Sequence, residues 1–200
     1  MARERAALSD TFADSGPAQP TLCEGWQTRD LLQHLVLRDA GPLPAVLIGT
    51  AAARARVLDA PWTDLIDRFR GGPPPGSPFR LPGADGAANL EEFFVHHEDV
   101  RRATPGWSRR ALPDGIEDAI WRRLRMLTGR MSMRRVDVGV HVQRPNGEHA
   151  MLHAGRPGVV VTGDPSELLM FVFGRQPAAD VDLKGPAEAC DRLRGAKLGF

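Results

Sequence analysis

The chain has 200 residues, which is enough for one large domain or two small ones, each with its own core. Its 26 lysines and arginines nearly balance its 25 aspartates and glutamates, so no long-range field favours nucleic acid or an anionic membrane as a partner. Because the sequence has neither a run of about 18 apolar residues nor a basic start followed by an apolar stretch, we expect neither a membrane span nor a signal peptide.

The numbers of cysteines and lysines bear on the expected redox compartment and on the type of source organism. Cys23 and Cys190 are too few for a disulfide framework, so we expect a reducing cytoplasm. Only Lys184 and Lys197 are lysines, and alanine, glycine and proline are frequent. This bias is typical of a high-GC bacterial genome, which is a hypothesis about origin and not about chemistry.

Apolar residues at helical spacing predict a series of helices in the first part of the chain. These helices run over residues 2–14, 28–39, 45–58 and 61–70. Thr28 is the expected N-cap of the second helix, where Asp30 favours the helix dipole in the first turn. The segment 71–86 is rich in proline and glycine and is predicted to be a loop within a domain.

The stretch NLEEFFVHHEDVRR, residues 89–102, predicts a further helix with an unusual polar content. Glu92 and His96 are four residues apart, so both side chains leave one helix face one turn apart. A carboxylate and an imidazole in this arrangement can hold one divalent metal ion. A third ligand must come from elsewhere in the chain, and His34 in the predicted second helix is one candidate.

Structural roles compete with this interpretation. Asn89 as N-cap and Glu92 as its partner would form a capping box, and His34 or His96 alone would more often be a buried histidine with an ordinary hydrogen bond. His97 points about 100° away from His96 and is the expected bystander. Glu91 is the alternative to Glu92 as the ligand carboxylate. It is favoured less, because the residue four positions after it is Val95, which cannot bind a metal.

The pattern changes in the second part of the chain. Residues 114–131 predict a long helix, and helices joined by loops indicate an antiparallel bundle as the first domain. From Arg134 onwards, short strands and helices predict a small α+β unit, with the boundary near residues 132–135. Its predicted elements are strands at 136–142, 148–153, 159–161 and 181–183, a helix capped by Asp164 and ending at Gly174, and a last helix from Pro186.

Three segments carry a resemblance to a known family. They are TLCEGW followed by TRDLLQHLVLRD, then EEFFVHHEDVRR, and finally VTGDPSELLMFVFGR. In this order they resemble the mycothiol-dependent maleylpyruvate isomerase family, whose helical domain is of the DinB-like type. The resemblance covers nearly the full chain. It implies an α+β protein with a DinB-like antiparallel four-helix bundle over residues 1–133, followed by a small α+β domain over residues 134–200.

The same resemblance implies a metal centre. In the family a histidine of the second helix and a glutamate and histidine of the third hold a metal, usually zinc, and the matching positions are His34, Glu92 and His96. Two nitrogens and one carboxylate leave a coordination position open, as in catalytic zinc sites. Such a zinc ion binds a small thiol as thiolate, and the resemblance implies mycothiol as that thiol.

The residues do not decide which reaction a metal at this site would support. A metal-bound thiol would make the protein a zinc-dependent isomerase or transferase, and a metal-activated water would make it a hydrolase. A third alternative is a binding protein for metal or a small ligand without turnover. The expected partners are a small electrophile or a thiol, without nucleic acid or membrane, and the chain is expected to be a monomer or a homodimer.

Three residues have a secondary role in this interpretation. Asp99 either orients a ligand or forms an exposed ion pair, and Arg38 either clamps a substrate carboxylate or forms a salt bridge. Cys23 either approaches the metal or is a small buried apolar group. A rival metal cluster, favoured less, consists of three histidines in the predicted strands: His141, His149 and His153.

Overall fold

The computed structural model describes residues 2–39, 50–75, 77 and 84–199, and it combines α-helices with one β-sheet, as predicted. The chain divides into two compact units, Met1–Ser108 and Arg109–Phe200. Within the described ranges, no helix combines the length and the apolar character that crossing a bilayer requires.

The first unit is helical. Its helices are α1 (Ala2–Ser15), α2 (Thr28–Asp39), α3 (Thr50–Leu58), α4 (Trp62–Gly71) and α5 (Ala84–Arg101). Helix α1 packs on α4 and α5, and α2 packs on α4 and α3. The predicted bounds of α2 are confirmed, and the predicted start of α3 lies outside the described residues. The antiparallel four-helix arrangement stays a prediction.

Aromatic side chains form the centre of this unit. Phe69 packs edge-on against both Phe12 and Phe93, with ring centroids 6.2 and 5.5 Å apart. Arg5 lies over the Phe93 ring and forms a buried bidentate pair with Asp39, which joins α1 to the end of α2. The core therefore fixes the position of α2 relative to α1 and α5. A site built from side chains of both α2 and α5 requires this fixed arrangement. The buried apolar residues are Leu8, Phe12, Leu31, Leu32, Leu35, Ala60, Leu65, Ile66, Phe69, Phe93 and Val100.

Helix α5 begins at Ala84, before the predicted start at residue 89, so Asn89 does not cap it and the competing capping-box interpretation does not apply. The alanines before Asn89 are strong helix formers and carry the helix one turn further back. Asn89 is fully buried inside the helix, where its side-chain oxygen accepts a hydrogen bond from Arg38. Glu92 consequently has no capping role, and its carboxylate is directed to the histidines described below.

The second unit begins with two short helices, α6 (Ile116–Leu124) and α7 (Leu127–Ser132), where one long helix is predicted. Helix α6 packs against α8 (Pro165–Val172) of the same unit. The Glu117 carboxylate accepts hydrogen bonds from the backbone N–H and the hydroxyl of Ser166, at 2.9 and 2.7 Å, and so caps α8. The division at Ser108 therefore differs from the predicted boundary near 132–135, because α6 finds its packing partner in the second unit.

The sheet of the second unit has the strand order β2-β1-β3-β4. The strands are β1 (Gly139–Gln143), β2 (His149–His153), β3 (Gly158–Thr162) and β4 (Asp182–Lys184). β1 is antiparallel to β2 and parallel to β3, and β4 is antiparallel to β3. Helix α9 (Ala187–Gly195) packs on β3. The predicted strands are confirmed with shifted bounds. The predicted cap Asp164 precedes α8, but its side chain pairs with Arg109.

Candidate metal centre

Helices α2 and α5 bring three predicted ligands together. His34 extends from the middle of α2, and Glu92 and His96 extend from one face of α5. Glu92 Oε1 lies 3.1 Å from His34 Nε2 and 3.2 Å from His96 Nε2. The three ligand atoms lie within 4.8 Å of one another. The same carboxylate oxygen thus meets two imidazole nitrogens from two different helices.

The donor set and its spacing fit a divalent metal such as zinc. Two atoms bound to one tetrahedral zinc ion at about 2.0–2.1 Å lie about 3.4 Å apart. The two separations from Glu92 are within a few tenths of an ångström of this value. The His34 side chain is 38% exposed, so the group opens to solvent on that side. Three protein donors with one open side are typical of a catalytic zinc site and not of a structural one.

Without a metal, the electrostatics of this group keep Glu92 ionised. Burial alone would raise the pKa of Glu92, but hydrogen bonds from His34 and His96 and the charge of Arg38 lower it well below its usual range. Burial would likewise lower the pKa of His96, whereas hydrogen bonds with Asp99, Cys23 and Glu92 raise it well above its usual range. The carboxylates of Glu92 and Asp99 therefore favour a positive charge at His96, and a metal ion bound there would compete with the proton.

Asp99 fixes the orientation of His96. Its carboxylate is fully buried, and Oδ2 lies 2.9 Å from His96 Nδ1, the ring nitrogen that faces away from Glu92. A carboxylate that accepts from one nitrogen leaves the other nitrogen directed at the metal position. Of the two predicted settings of Asp99, the structure shows a buried contact with the candidate ligand His96 and not an exposed ion pair.

Cys23 lies behind His96 as well. Its Sγ donates to Asp99 Oδ2 at 3.2 Å and lies 4.0 Å from His96 Nδ1. Cys23, His96 and Asp99 form a second group whose donor atoms lie within 4.8 Å of one another. This group shares His96 with the first, but it uses the nitrogen on the opposite side of the ring. Cys23 therefore contacts Asp99 and the Nδ1 side of His96, and not the solvent-exposed side of the group formed by His34, Glu92 and His96.

Arg38 lies one turn after His34 on α2. Its Nε is 3.4 Å from Glu92 Oε1, and its guanidinium donates to the side chain of Asn89. These contacts correspond to the predicted salt bridge, and they place a positive charge beside the Glu92 carboxylate, the candidate ligand.

The neighbours Glu91 and His97 are outside the ligand group. His97 is buried against α1, where Nδ1 lies 2.8 Å from Glu4 Oε1 and Nε2 lies 2.9 Å from Thr11 Oγ1. Glu91 is buried on another face of α5. The spacing argument, which ranked Glu92 and His96 above these two, agrees with this arrangement.

The rival histidine cluster does not assemble. His141 lies opposite Met151 in the sheet, His149 opposite Gln143 and His153 opposite Val140. Among the described residues, the groups that could hold a metal are the two that share His96, and neither includes these histidines.

A cleft of about 680 Å³ lies beside the metal group. Trp26 packs against the His34 ring, with centroids 5.4 Å apart, and is 37% exposed. Seven of its nine lining residues belong to the quoted motifs, but sequence analysis did not identify the cleft, because its walls come from a loop and two helices that only tertiary packing brings together. The lining residues are Gly25, Trp26, Asp30, Gln33, His34, Leu37, Arg38, Arg54 and Leu58.

The fold and the site together define an α+β protein with a candidate three-ligand metal centre in its helical unit. No protein-family model matches the chain, and no curated protein matches it in sequence. Among solved structures, it is similar to a mutant of the mycothiol-dependent maleylpyruvate isomerase, with a TM-score of 0.63 and 12% identity. The similarity covers 92% of this chain and 90% of that one. At this identity it establishes a relationship at the level of the fold.

Proposed function

We propose that the protein is a zinc-dependent, thiol-using isomerase or transferase whose metal is held by His34, Glu92 and His96. The observation that supports this most strongly is the convergence of two imidazole Nε2 atoms from two helices on one carboxylate oxygen, at 3.1 and 3.2 Å. A histidine with a purely structural role needs only one hydrogen-bond partner. A site for a single metal ion needs all three donor atoms around one common position.

Each neighbouring residue has a defined task in this proposal. When bound, a zinc ion at an open three-ligand site stabilises a thiolate or a hydroxide near neutral pH. Asp99 holds His96 in the orientation in which Nε2 faces the metal position. Arg38 forms an ion pair with Glu92 and so partly neutralises the charge of its carboxylate. Trp26 packs against the His34 ring and restricts its rotation.

Mycothiol is the proposed thiol. The support is the fold-level similarity to a mycothiol-dependent isomerase, together with a composition typical of a high-GC bacterium. The proposal does not extend to maleylpyruvate itself, because no residue of this chain is assigned to that substrate.

The test is turnover by the zinc-loaded protein. Mycothiol and a panel of electrophiles are incubated with wild-type protein, His34→Ala and, as a matched control, His149→Ala, which changes an exposed histidine of the second unit. We expect thiol-dependent conversion of at least one electrophile by the wild type and the control, and its loss in His34→Ala. Conversion that proceeds equally without thiol would indicate a hydrolase, and metal binding without any conversion would indicate a binding protein. Either result overturns the proposed activity.

A further inference from the structure

The segment from residue 119 to residue 136 concentrates positive charge in the second unit. Between Asp118 and Asp137 the sequence has six arginines and neither an aspartate nor a glutamate, whereas the net charge of the whole chain is only +1. The near-neutral chain therefore contains one strongly positive segment. The six arginines are Arg122, Arg123, Arg125, Arg130, Arg134 and Arg135.

Packing divides this segment into a buried side and an exposed side. Its buried side contains Trp121, Leu124 and Met133, and both of its helices, α6 and α7, pack on α8. A tight turn joins the two helices, since the backbone N–H of Met126 donates to the carbonyl oxygen of Arg123 at 2.9 Å. The exposed side is therefore one compact surface, which we call the arginine–methionine surface. Its residues are Arg122, Arg125, Met126, Arg130, Met131, Arg134 and Arg135.

The five arginines of this surface form no ion pair within the described part of the chain. The carboxylates that flank the segment are used elsewhere: Asp118 pairs with Arg144 at 2.7 Å, and Asp137 lies 3.5 Å from Arg192. A guanidinium group is weakly hydrated and binds a carboxylate through two parallel hydrogen bonds. The surface therefore offers several donors to negatively charged groups of another molecule.

Two methionines add apolar area among the arginines. Met126 is 66% exposed and Met131 is 38% exposed. Methionine side chains are flexible and polarisable, so they adapt to partners of different shape, and methionine and arginine are both enriched at protein–protein interfaces. The surface therefore suits a partner that combines carboxylates with apolar side chains.

Nucleic acid and anionic membranes are also negatively charged, but this surface suits them less well. Single-stranded nucleic acid stacks its bases on accessible aromatic rings, and Trp121, the one aromatic residue of the segment, is 2% exposed. Helices α6 and α7 have nine and six residues, so neither provides a long rod for the groove of a duplex. Helices that bind a membrane surface insert tryptophan, phenylalanine or leucine, whereas the exposed large apolar side chains described in this segment are methionines.

We propose that the arginine–methionine surface binds an acidic, amphipathic segment of a partner protein. The carboxylates of that segment pair with the exposed guanidinium groups, and its apolar side chains cover Met126 and Met131. The interaction uses none of the residues assigned to the metal centre, so it depends neither on bound zinc nor on turnover.

The probe is a fluorescent peptide of about 20 residues with leucine and glutamate at amphipathic helical spacing. Its control has the same glutamates and serine in place of every leucine. Binding to the full-length protein is measured by fluorescence anisotropy. We expect the leucine peptide to bind about tenfold more tightly than the serine peptide, because only the leucines bury apolar area against the methionines. Equal affinities of the two peptides would overturn the proposal, since charge alone would explain them.

Two matched pairs of charge changes locate the arginines that are responsible. The double variant Arg130→Gln, Arg134→Gln is expected to bind the leucine peptide about fivefold more weakly or worse. The control, Arg56→Gln with Arg68→Gln, removes the same charge from exposed positions of α3 and α4 and is expected to bind as the wild type does. Equal weakening in both double variants would contradict the assignment, because it would indicate a general effect of net charge.

A matched pair of methionine changes tests the apolar part of the surface. Met126→Ser is expected to weaken binding of the leucine peptide about threefold and to leave binding of the serine peptide unchanged. Met151→Ser changes an exposed methionine of β2, outside the surface, and is expected to have no effect. The same loss in both variants would refute the role of Met126.

Three further measurements test the other possible occupants of the surface. Single-stranded DNA of the same charge as the peptide and vesicles of anionic phospholipid are titrated with the same protein, and sedimentation reports its oligomeric state. We expect both the DNA and the vesicles to bind more weakly than the leucine peptide, and Arg130→Gln with Arg134→Gln to leave the oligomeric state unchanged. Tighter binding of either ligand, or a dimer that this double variant dissociates, would overturn the proposal in favour of nucleic acid, a membrane or a second copy.

Discussion

Replacing Asp99 with asparagine tests whether this carboxylate supports the metal site through His96. Asparagine keeps the size of the side chain, so the buried volume around the fully buried Asp99 is unchanged. The substitution removes the negative charge 2.9 Å from His96 Nδ1 and 3.2 Å from Cys23 Sγ. Residues that orient a metal-binding histidine contribute about 10- to 100-fold to metal affinity, which corresponds to about 1.4–2.7 kcal/mol.

We expect Asp99→Asn to bind zinc about tenfold more weakly than the wild type, at the lower end of this range, because the asparagine oxygen can still accept from His96. The assay is competition for zinc against a chromophoric chelator at constant pH. Asp10→Asn, at an exposed position of α1, is the matched control. Thermal unfolding of the metal-free variant shows whether the fold is retained. Zinc affinity within twofold of the wild type, in a folded variant, would refute the role assigned to Asp99.

Two further predictions concern pH and backbone packing. Burial would lower the pKa of His96 and raise that of Glu92. Hydrogen bonds outweigh burial in both cases, so the pKa of His96 is raised and the pKa of Glu92 is lowered. In metal-free protein the His96 contribution to stability is therefore present below about pH 6.5 and is lost as the pH rises through the raised value. Zinc competes with that proton while Glu92 stays ionised, so the zinc-induced rise in melting temperature should grow from about pH 6 to pH 8. A constant or falling increment would contradict this reasoning. Gly139→Ala should destabilise the second unit by about 2 kcal/mol or more in denaturant unfolding, because a Cβ there would lie 2.3 Å from the Gly155 carbonyl oxygen. Gly158→Ala, where a Cβ meets nothing within 4 Å, is the control, and equal effects of the two changes would contradict the prediction.

Two of the three candidate ligands could be placed together from the sequence because their geometry is local. Glu92 and His96 are separated by one helical turn, so any helix over this segment places them on one face. The same rule placed His97 on another face, where it contacts α1. The position of His34 beside this pair depends on long-range packing of α2 and was implied by family resemblance and not by spacing.

The errors lie where tertiary contacts decide the outcome. Asn89 has the chemistry of an N-cap, but its bond to Arg38 keeps it inside α5, and the alanines before it extend the helix. The apolar pattern of residues 114–131 is helical throughout, yet periodicity does not show that α6 packs on α8 in the second unit. The cleft was missed for a related reason: Trp26 and Arg54 belong to separate elements, and no sequence pattern connects them.

The most direct test of the metal centre is the zinc content of protein purified without a metal-affinity column. Elemental analysis is made on the wild type, His34→Ala, His96→Ala and the control His149→Ala, after unfolding curves have shown that each variant is folded. We expect about one zinc ion per chain in the wild type and the control, and much less than one in the two ligand variants. A wild type without metal after incubation with zinc, or ligand variants that retain the full content, would contradict the proposal that these three residues form a metal site.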